Sequence, residues 1–77
     1  MVRLKMKLGS KDGLGTYDLI QFLSKAARIE EGMIGHIEIG ADSTRVEIHK
    51  QRVEQTLRAL DRAKYRGKRV EANVDAQ

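Results

Sequence analysis

The densest group of chemically versatile side chains lies near the end of the chain, over residues 62–69. This segment reads R-A-K-Y-R-G-K-R and holds five cations in eight residues around one tyrosine. Cations can hold the phosphates of a nucleic acid backbone while an aromatic ring between them stacks on a base. Tyr65 has an equally open alternative, which is to close the core beneath a helix while the cations stay solvated and cap that helix. For the cations, the pattern favours contact with RNA.

A second cationic surface is predicted from alternation of apolar and charged residues. Residues 2–8 alternate in this way, and so do residues 34–39 and 44–49 on either side of a turn-rich break. Alternation with period two is typical of strands buried on one side only. The open faces of these strands then carry cations with glutamates between them. The residues predicted to contact RNA on both surfaces, and in the loop after the first strand, are Lys5, Lys7, Lys11, Arg45, His49, Lys64, Tyr65, Arg66, Lys68 and Arg69.

Enzymatic sites find little support in the sequence. The chain has no cysteine and two histidines, His36 and His49, which are too few and too far apart to indicate a metal cluster. Residues 9–15 read G-S-K-D-G-L-G and lack both the G-x-G-x-x-G spacing and a following G-K-[ST]. We therefore predict no catalysis by this chain, no cofactor and no ATP site.

The elements that must position these residues can be read in order. The predicted strands cover residues 2–8, 34–39, 44–49 and 68–74, and helices follow Thr16, as N-cap, and His49. Pairing Ile37 with Val46 sets Glu38 against Arg45 and His36 against Glu47, whereas the next permitted register opposes two glutamates. The twelve residues predicted to be buried together are Leu4, Met6, Leu19, Phe22, Leu23, Ile37, Ile39, Val46, Ile48, Leu57, Leu60 and Val70, and Ala72 and Val74 are also predicted to point inward.

The βαββαβ order predicts an α+β fold of the ferredoxin-like or RNA-recognition-motif-like kind. Two right-handed crossovers give a four-stranded antiparallel sheet in the order 4-1-3-2, with both helices on one face. At 77 residues the chain is predicted to be a single domain over 1–77. The tail, residues 75–77, is predicted to fray. No long apolar run indicates a signal peptide or membrane span, and we expect a cytoplasmic protein.

The net charge and the missing aromatics refine the binding hypothesis. The chain carries 15 Lys and Arg against 11 Asp and Glu, a net charge of +4, which favours a polyanionic partner. A standard RNA-recognition motif stacks bases on aromatics of its middle strands. Here Lys5, Ser43 and Arg45 occupy those positions. The sheet is therefore predicted to hold phosphates and to lack a stacking platform.

Several segments together resemble a known family. They are V-R-L-K-M-K-L-G-S-K-D-G-L at the start, Asp18-Leu19-Ile20, I-G-H-I-E-I, T-R-V-E-I-H, and Y-R-G-K-R-V near the end. In this order they resemble the C-terminal RNA-binding domain of DbpA-type DEAD-box RNA helicases, over nearly the whole chain. Members with known targets tend to have a richer basic loop after the first strand, where this chain has only Lys11 beside Asp12.

The resemblance implies a function and a context. It implies an RNA-recognition-motif-like module that tethers a helicase core to structured RNA, often ribosomal, in ribosome assembly or cold adaptation. The helicase core would be part of the same polypeptide if this is an excised domain. ATP and Mg²⁺ would then bind to that helicase core alone. The alternative is a module that binds proteins or dimerises through its sheet or helices.

Overall fold

The computed structural model describes residues 1–75. Six strands, two α-helices and three short 3-10 turns make up this part of the chain. The strands are β1 (Val2–Met6), β2 (Ile34–Ile39), β3 (Thr44–Ile48), β4 (Lys64–Tyr65), β5 (Lys68–Arg69) and β6 (Ala72–Val74). The helices are α1 (Thr16–Ala26) and α2 (Val53–Arg62), and the 3-10 turns are Ser10–Asp12, Glu31–Met33 and Lys50–Arg52.

Four of the strands form one antiparallel sheet in the order β2-β3-β1-β6. With β6 as the fourth sheet strand, this is the predicted order 4-1-3-2, read from the other edge. The apolar side chains of β1 and β3 face the helices and are fully buried apart from Val2, which is half-buried, whereas the alternate, charged residues are exposed or half-buried. The α+β fold with its ferredoxin-like topology is therefore confirmed.

The predicted hairpin register is confirmed in part. Ile37 pairs with Val46 and Glu38 with Arg45. The prediction that His36 pairs with Glu47 is wrong, because the ladder shifts between Ile34 and Ile37. The His36 N–H instead donates to the Glu47 carboxylate, with N···Oε1 3.1 Å. A side chain thus satisfies a backbone donor that the irregularity removes from the ladder.

The last predicted strand, residues 68–74, is two separate pieces. Lys68–Arg69 pairs with Lys64–Tyr65 in a hairpin of its own, and only Ala72–Val74 pairs with β1 as β6. Between them Glu71 still accepts a backbone hydrogen bond from Lys7, at 2.9 Å. Val74 lies opposite Leu4 on the inner face, yet it is 49% exposed at the sheet edge. Its predicted inward direction is confirmed, but the edge position leaves the side chain half in solvent.

The core lies between the sheet and the two helices. Eight of the twelve residues predicted for it are buried, and four are only half-buried: Phe22, Ile37, Ile39 and Leu57. Four further residues are buried in the same cluster. Leu8 and Ala27 belong to the apolar faces predicted for the first strand and the first helix, whereas Leu14 and Ile29 were missed in the sequence analysis. Of these, Leu14 belongs to the loop before α1, so this loop is anchored in the core.

Two local features differ from the sequence-based predictions, one at the start of α1 and one at Asp75. The N-cap of α1 is Gly15 and not Thr16; the Asp18 carboxylate accepts a hydrogen bond from the Gly15 N–H, at 3.1 Å. Asp75 is held in place, since its N–H donates to the Arg3 carbonyl at 2.8 Å, although the tail was predicted to fray from this residue. Residues 76–77 lie outside the described part. No helix within residues 1–75 is long and apolar enough to cross a membrane.

Candidate nucleic-acid interface

The basic segment near the end of the chain forms a tight β-hairpin, residues 64–69, called here the basic hairpin. Lys64 pairs with Arg69 and Tyr65 with Lys68. The two turn residues have positive φ, 50° at Arg66 and 82° at Gly67. Positive φ at both central positions matches the type I′ turn, whose twist suits a two-residue hairpin. The hairpin therefore presents four cations from a short, defined element, whereas the sequence analysis had placed no strand before residue 68.

Tyr65 fastens this hairpin to the body of the domain. Its ring meets that of Phe22 edge to face, with centroids 5.4 Å apart, and its hydroxyl donates to the Gly13 carbonyl at 3.4 Å. The Arg66 guanidinium lies over the same ring, 5.6 Å from its centroid. Of the two roles left open by the sequence, the geometry favours core closure, with one ring face already covered by Arg66.

A second fastening joins the hairpin to the loop after β1. The Lys68 ammonium donates to the Asp12 carboxylate, at 3.1 Å, and the other oxygen of Asp12 accepts from the Gly9 N–H at 3.0 Å. The Gly9 hydrogen bond, followed by that from Lys68, holds the pKa of Asp12 below its usual value of 3.8. Asp12 thus stays ionised at neutral pH and ties the basic hairpin to this loop.

The same loop is joined to the turn between β2 and β3. The Ser10 and Lys11 N–H groups donate to the carbonyls of Gly40 and Ala41, both at 2.9 Å. A Cβ on Gly9 would collide with these carbonyl oxygens, so glycine is required by the close approach of two backbones. Three segments thus form one connected surface, the basic rim: residues 9–15, residues 40–43 and the basic hairpin.

An open depression lies between the basic rim and the exposed end of β1. Four cations and two carboxylates surround it. The lining residues are Lys5, Lys7, Asp42, Ser43, Lys68, Arg69 and Glu71. The structure therefore brings two of the predicted strand cations, Lys5 and Lys7, together with two of the hairpin cations, which lie more than sixty residues away in sequence.

Ion pairs distinguish the predicted cations from one another. Three exposed cations have carboxylate partners: Lys7 with Glu71 at 3.7 Å, Lys68 with Asp12 at 3.1 Å and Arg69 with Asp61 at 3.9 Å. Exposed pairs of this kind contribute about 0–1 kcal/mol and exchange readily with another anion. Lys5, Lys11, Lys64 and Arg66 have no carboxylate partner within 4.0 Å among residues 1–75.

The family of the chain can now be stated from a comparison with known proteins. The family model described as the DbpA RNA binding domain matches residues 3–74. The chain belongs to this family. The match confirms the resemblance seen in the sequence and makes the chain an RNA-binding module, with RNA as its partner. No curated protein sequence gave a significant match.

Two predicted contacts of this DbpA-family domain lie away from the basic rim. Arg45 forms an ion pair with Asp75, with Nε···Oδ2 3.0 Å, and the Asp75 side chain is only 16% exposed. The Nδ1 atom of His49 accepts from the Gln51 N–H at 3.2 Å and so caps the 3-10 turn before α2. His49 follows β3 at the end remote from the rim, about 17 Å along the strand from Thr44.

The open face of the sheet carries a balanced charge, unlike the rim. Among residues 1–75 it presents four cations and four carboxylates. These are Arg3, Lys5, Lys7 and Arg45, and Glu38, Glu47, Glu71 and Asp75. The basic rim carries five cations, Lys11 and the four of the hairpin, against Asp12 and Asp42. The positive potential is therefore centred on the rim and not on the middle of the sheet.

Two acidic residues with structural roles were missed in the sequence analysis, Asp12 in the basic rim and Asp75 beside Arg45 on the sheet. Asp12 had been noted only as an acid beside Lys11, yet its spacing of three from Gly9 is the signal of a side chain that caps a short turn. Asp75 had been assigned to a frayed tail. The hairpin turn at Arg66-Gly67 could not be recognised in this way, because Arg-Gly is not among the residue pairs that indicate a two-residue turn. Within residues 1–75, no group of three potential ligands is placed to hold a metal ion.

Proposed function

We propose that this domain brings a DEAD-box ATP-dependent RNA helicase to structured RNA by holding the RNA backbone at the basic rim. The carrying observation is the separation of charge, with a balanced sheet face beside a rim of five cations and two carboxylates. Phosphate contacts supply most of the sequence-independent affinity for nucleic acid. A cationic rim on an RNA-binding domain is therefore the surface with the strongest physical reason to meet the RNA.

The proposed contacts differ in whether an existing ion pair must break before a phosphate can bind. Lys5, Lys11, Lys64 and Arg66 can bind phosphates without breaking an ion pair. Lys7 and Arg69 exchange a carboxylate for a phosphate at small cost, because their pairs are exposed. Lys68 contacts a phosphate while it stays close to Asp12, whose side chain is only 20% exposed. Tyr65 acts as the support that orients Arg66, while Arg45 and His49 contribute only to an RNA long enough to cross the sheet.

The wider context of the proposal follows from the family resemblance. The helicase core would lie elsewhere in the same protein and would supply the ATP and Mg²⁺ sites, which residues 9–15 do not provide. The target would be structured RNA, with ribosomal RNA as the first candidate, in ribosome biogenesis in the cytoplasm. The isolated chain is accordingly expected to show no RNA-stimulated ATP hydrolysis, a result checked by phosphate release in the presence of RNA.

Salt dependence tests the proposal against the protein-binding alternative. Titration of a structured RNA at several salt concentrations should give a log–log slope of roughly −2 to −4, as expected for three to five phosphate contacts. A parent chain that binds no structured RNA, or binds it without salt dependence, contradicts the proposal. A module that dimerised through its sheet would instead show an association that depends on protein concentration and responds much less to salt.

A further inference from the structure

A groove lies between the end of α1 and α2, on the side of the domain away from the open sheet face. Its floor consists of small residues and its borders carry arginines. The lining residues are Ala26, Ala27, Arg28, Gln55, Arg58, Ala59 and Arg62. No carboxylate is among them. The groove is thus a second concave surface with a single sign of charge, separate from the basic rim.

Arg28 occupies a backbone position that favours glycine, so its side chain does not serve the local backbone conformation. Arg28 follows the C-cap of α1 with φ of 53°, in the left-handed region where glycine and asparagine are favoured. Among residues 1–75 only one other non-glycine residue has positive φ, and it is Arg66 in the basic hairpin. Both backbone positions favour glycine, both hold arginine, and both arginines border a cationic surface. Strained positions that persist in this way point to function.

A hydrogen bond in the groove reduces the repulsion that the end of α1 would exert on an anion. The last turn of a helix presents carbonyl groups that would repel a phosphate. The Ala27 carbonyl accepts a hydrogen bond from the Gln55 amide at 2.7 Å, so it does not face the groove unpaired. Among residues 1–75, one ion pair lies at the border and joins Arg58 to Glu54 at 3.6 Å, and both side chains are more than four-fifths exposed. A phosphate can therefore displace Glu54 easily.

The groove continues into the basic rim along α2. Arg58 and Arg62 are one helical turn apart on this helix, so their side chains lie on the same side. Lys64 follows Arg62 after one residue and begins the basic hairpin. Cations thus lead from the hairpin over the end of α2 to the groove, whose other border carries Arg28. The distance from Arg62 to Gln55 is about 10 Å along the helix axis.

We propose that the groove between α1 and α2 is a second site for the RNA phosphate backbone, with Arg28, Arg58 and Arg62 as its contacts. The inference rests on the proposed function and extends it. An RNA held at the basic rim would continue over the end of α2 and place a further stretch of backbone in the groove. Such two-sided contact selects RNA with enough length and structure to reach both surfaces, and a short single strand would reach only the rim.

The decisive variant is Arg28→Gly, because glycine suits the backbone at this position while it removes the charge. Its melting temperature is expected to equal or exceed that of the parent. Its affinity for an RNA hairpin with a single-stranded flank is expected to fall, and the salt slope is expected to flatten by about one unit. The variant Arg28→Gln/Arg58→Gln/Arg62→Gln should flatten the slope by about two to three units. Binding of a short oligouridine should change little in both.

A matched control distinguishes binding in the groove from a general effect of the net charge. Lys50→Gln removes an exposed cation that does not line the groove, and it should affect hairpin binding much less than Arg28→Gln. Equal losses in these two variants would show a diffuse charge effect and would overturn the proposal. A hairpin affinity unchanged in the triple variant would also overturn it, as would a fall in the melting temperature of Arg28→Gly. If the parent itself binds no RNA, the proposed function fails together with the groove.

A protein partner for the groove would leave a different pattern. If an acidic segment of an attached helicase core occupied it, the triple variant would bind the RNA hairpin as tightly as the parent. Its effect would appear only in the attachment of the core to the domain. That outcome would assign the groove to protein contact and contradict the proposal.

Discussion

The middle of the sheet and the basic rim differ in how their charges are arranged. On the open face of the sheet three of the four cations have a carboxylate opposite them or paired with them, since Arg3 lies opposite Glu47, Lys7 pairs with Glu71 and Arg45 pairs with Asp75. The pair Arg45–Asp75 is partly withdrawn from solvent. On the rim the cations outnumber the carboxylates, and the cations of the hairpin come from a six-residue segment. The comparison indicates that a fold known for binding RNA on its sheet can move the binding surface to one end of the sheet.

The two regions also differ in what holds them rigid. The sheet face is set by backbone ladders that any side chains of suitable pattern would allow. The rim depends on a few individual contacts, namely the Tyr65 ring on Phe22, the carboxylate of Asp12 and the close approach at Gly9. Substitutions that release these contacts should therefore disturb the rim while the sheet remains intact.

The largest expected effect is on the free energy of unfolding, through the residue that anchors the first loop of the rim in the core. Leu14 is 3% exposed and anchors the loop between β1 and α1 in the core, whereas Ile39 at the end of β2 is half-buried. Leu14→Ala should lower the free energy of unfolding by about 2–5 kcal/mol, as a cavity-forming substitution does. Ile39→Ala should cost much less. Denaturant unfolding measures both, and equal losses would contradict the difference in packing.

A smaller effect is expected where the loop meets the turn between β2 and β3. Gly9→Ala places a Cβ against the carbonyls of Gly40 and Ala41, and the backbones must separate. Overpacking of this kind costs about 1–3 kcal/mol. Amide chemical shifts should change at Ser10 and Lys11, which donate to this turn, and stay constant in the middle of β1. Gly32→Ala is a matched control, since open space surrounds Gly32.

Much of the fold could be predicted because it depends on periodic patterns. Alternation gave the strands, and the charges at Glu38 and Arg45 selected the correct register. The order of the strands followed from the order of elements and the hand of the crossovers. The bulge between Ile34 and Ile37 could not be predicted in the same way, because its free donor is satisfied by one particular carboxylate, that of Glu47.

The candidate site was predicted in its composition but less well in its arrangement. Residue types alone identified the basic hairpin and the cations of β1. The roles of Asp12, Tyr65 and Asp75 depend on contacts between segments up to 56 residues apart, which local patterns do not contain. The groove at Arg28 was missed for a similar reason, since two of its arginines lie on α2 and the third follows α1 in a left-handed backbone position.

The smallest expected effect concerns the link between Asp12 and Lys68. The pKa of Asp12 is lowered on folding, so its contribution to stability is present above pH 3.8 and is lost as the pH falls through the lowered value. Asp12→Asn should remove this part of the acid sensitivity and slightly lower the melting temperature at neutral pH. Melting curves of parent and variant measured from neutral to acidic pH check the prediction. Parallel curves at all pH values would contradict it.

The central claim, that the rim and not the middle of the sheet holds the RNA, is tested by two double variants. Lys64→Gln/Arg66→Gln removes two unpaired rim cations, and Arg3→Gln/Arg45→Gln removes two sheet cations, with a glutamine amide still able to donate to Asp75. Each variant loses two positive charges, so the two variants have the same net charge as each other. Lys68 is left unchanged because its ammonium group pairs with the Asp12 carboxylate. Melting curves of both variants check that they fold.

The decisive measurement is the salt dependence of binding to one structured RNA. The rim variant should bind more weakly than the parent, with a slope flatter by about one to two units. The sheet variant should stay close to the parent in both affinity and slope. Equal effects, or a larger effect of the sheet variant, would contradict the account and place the RNA on the open face of the sheet.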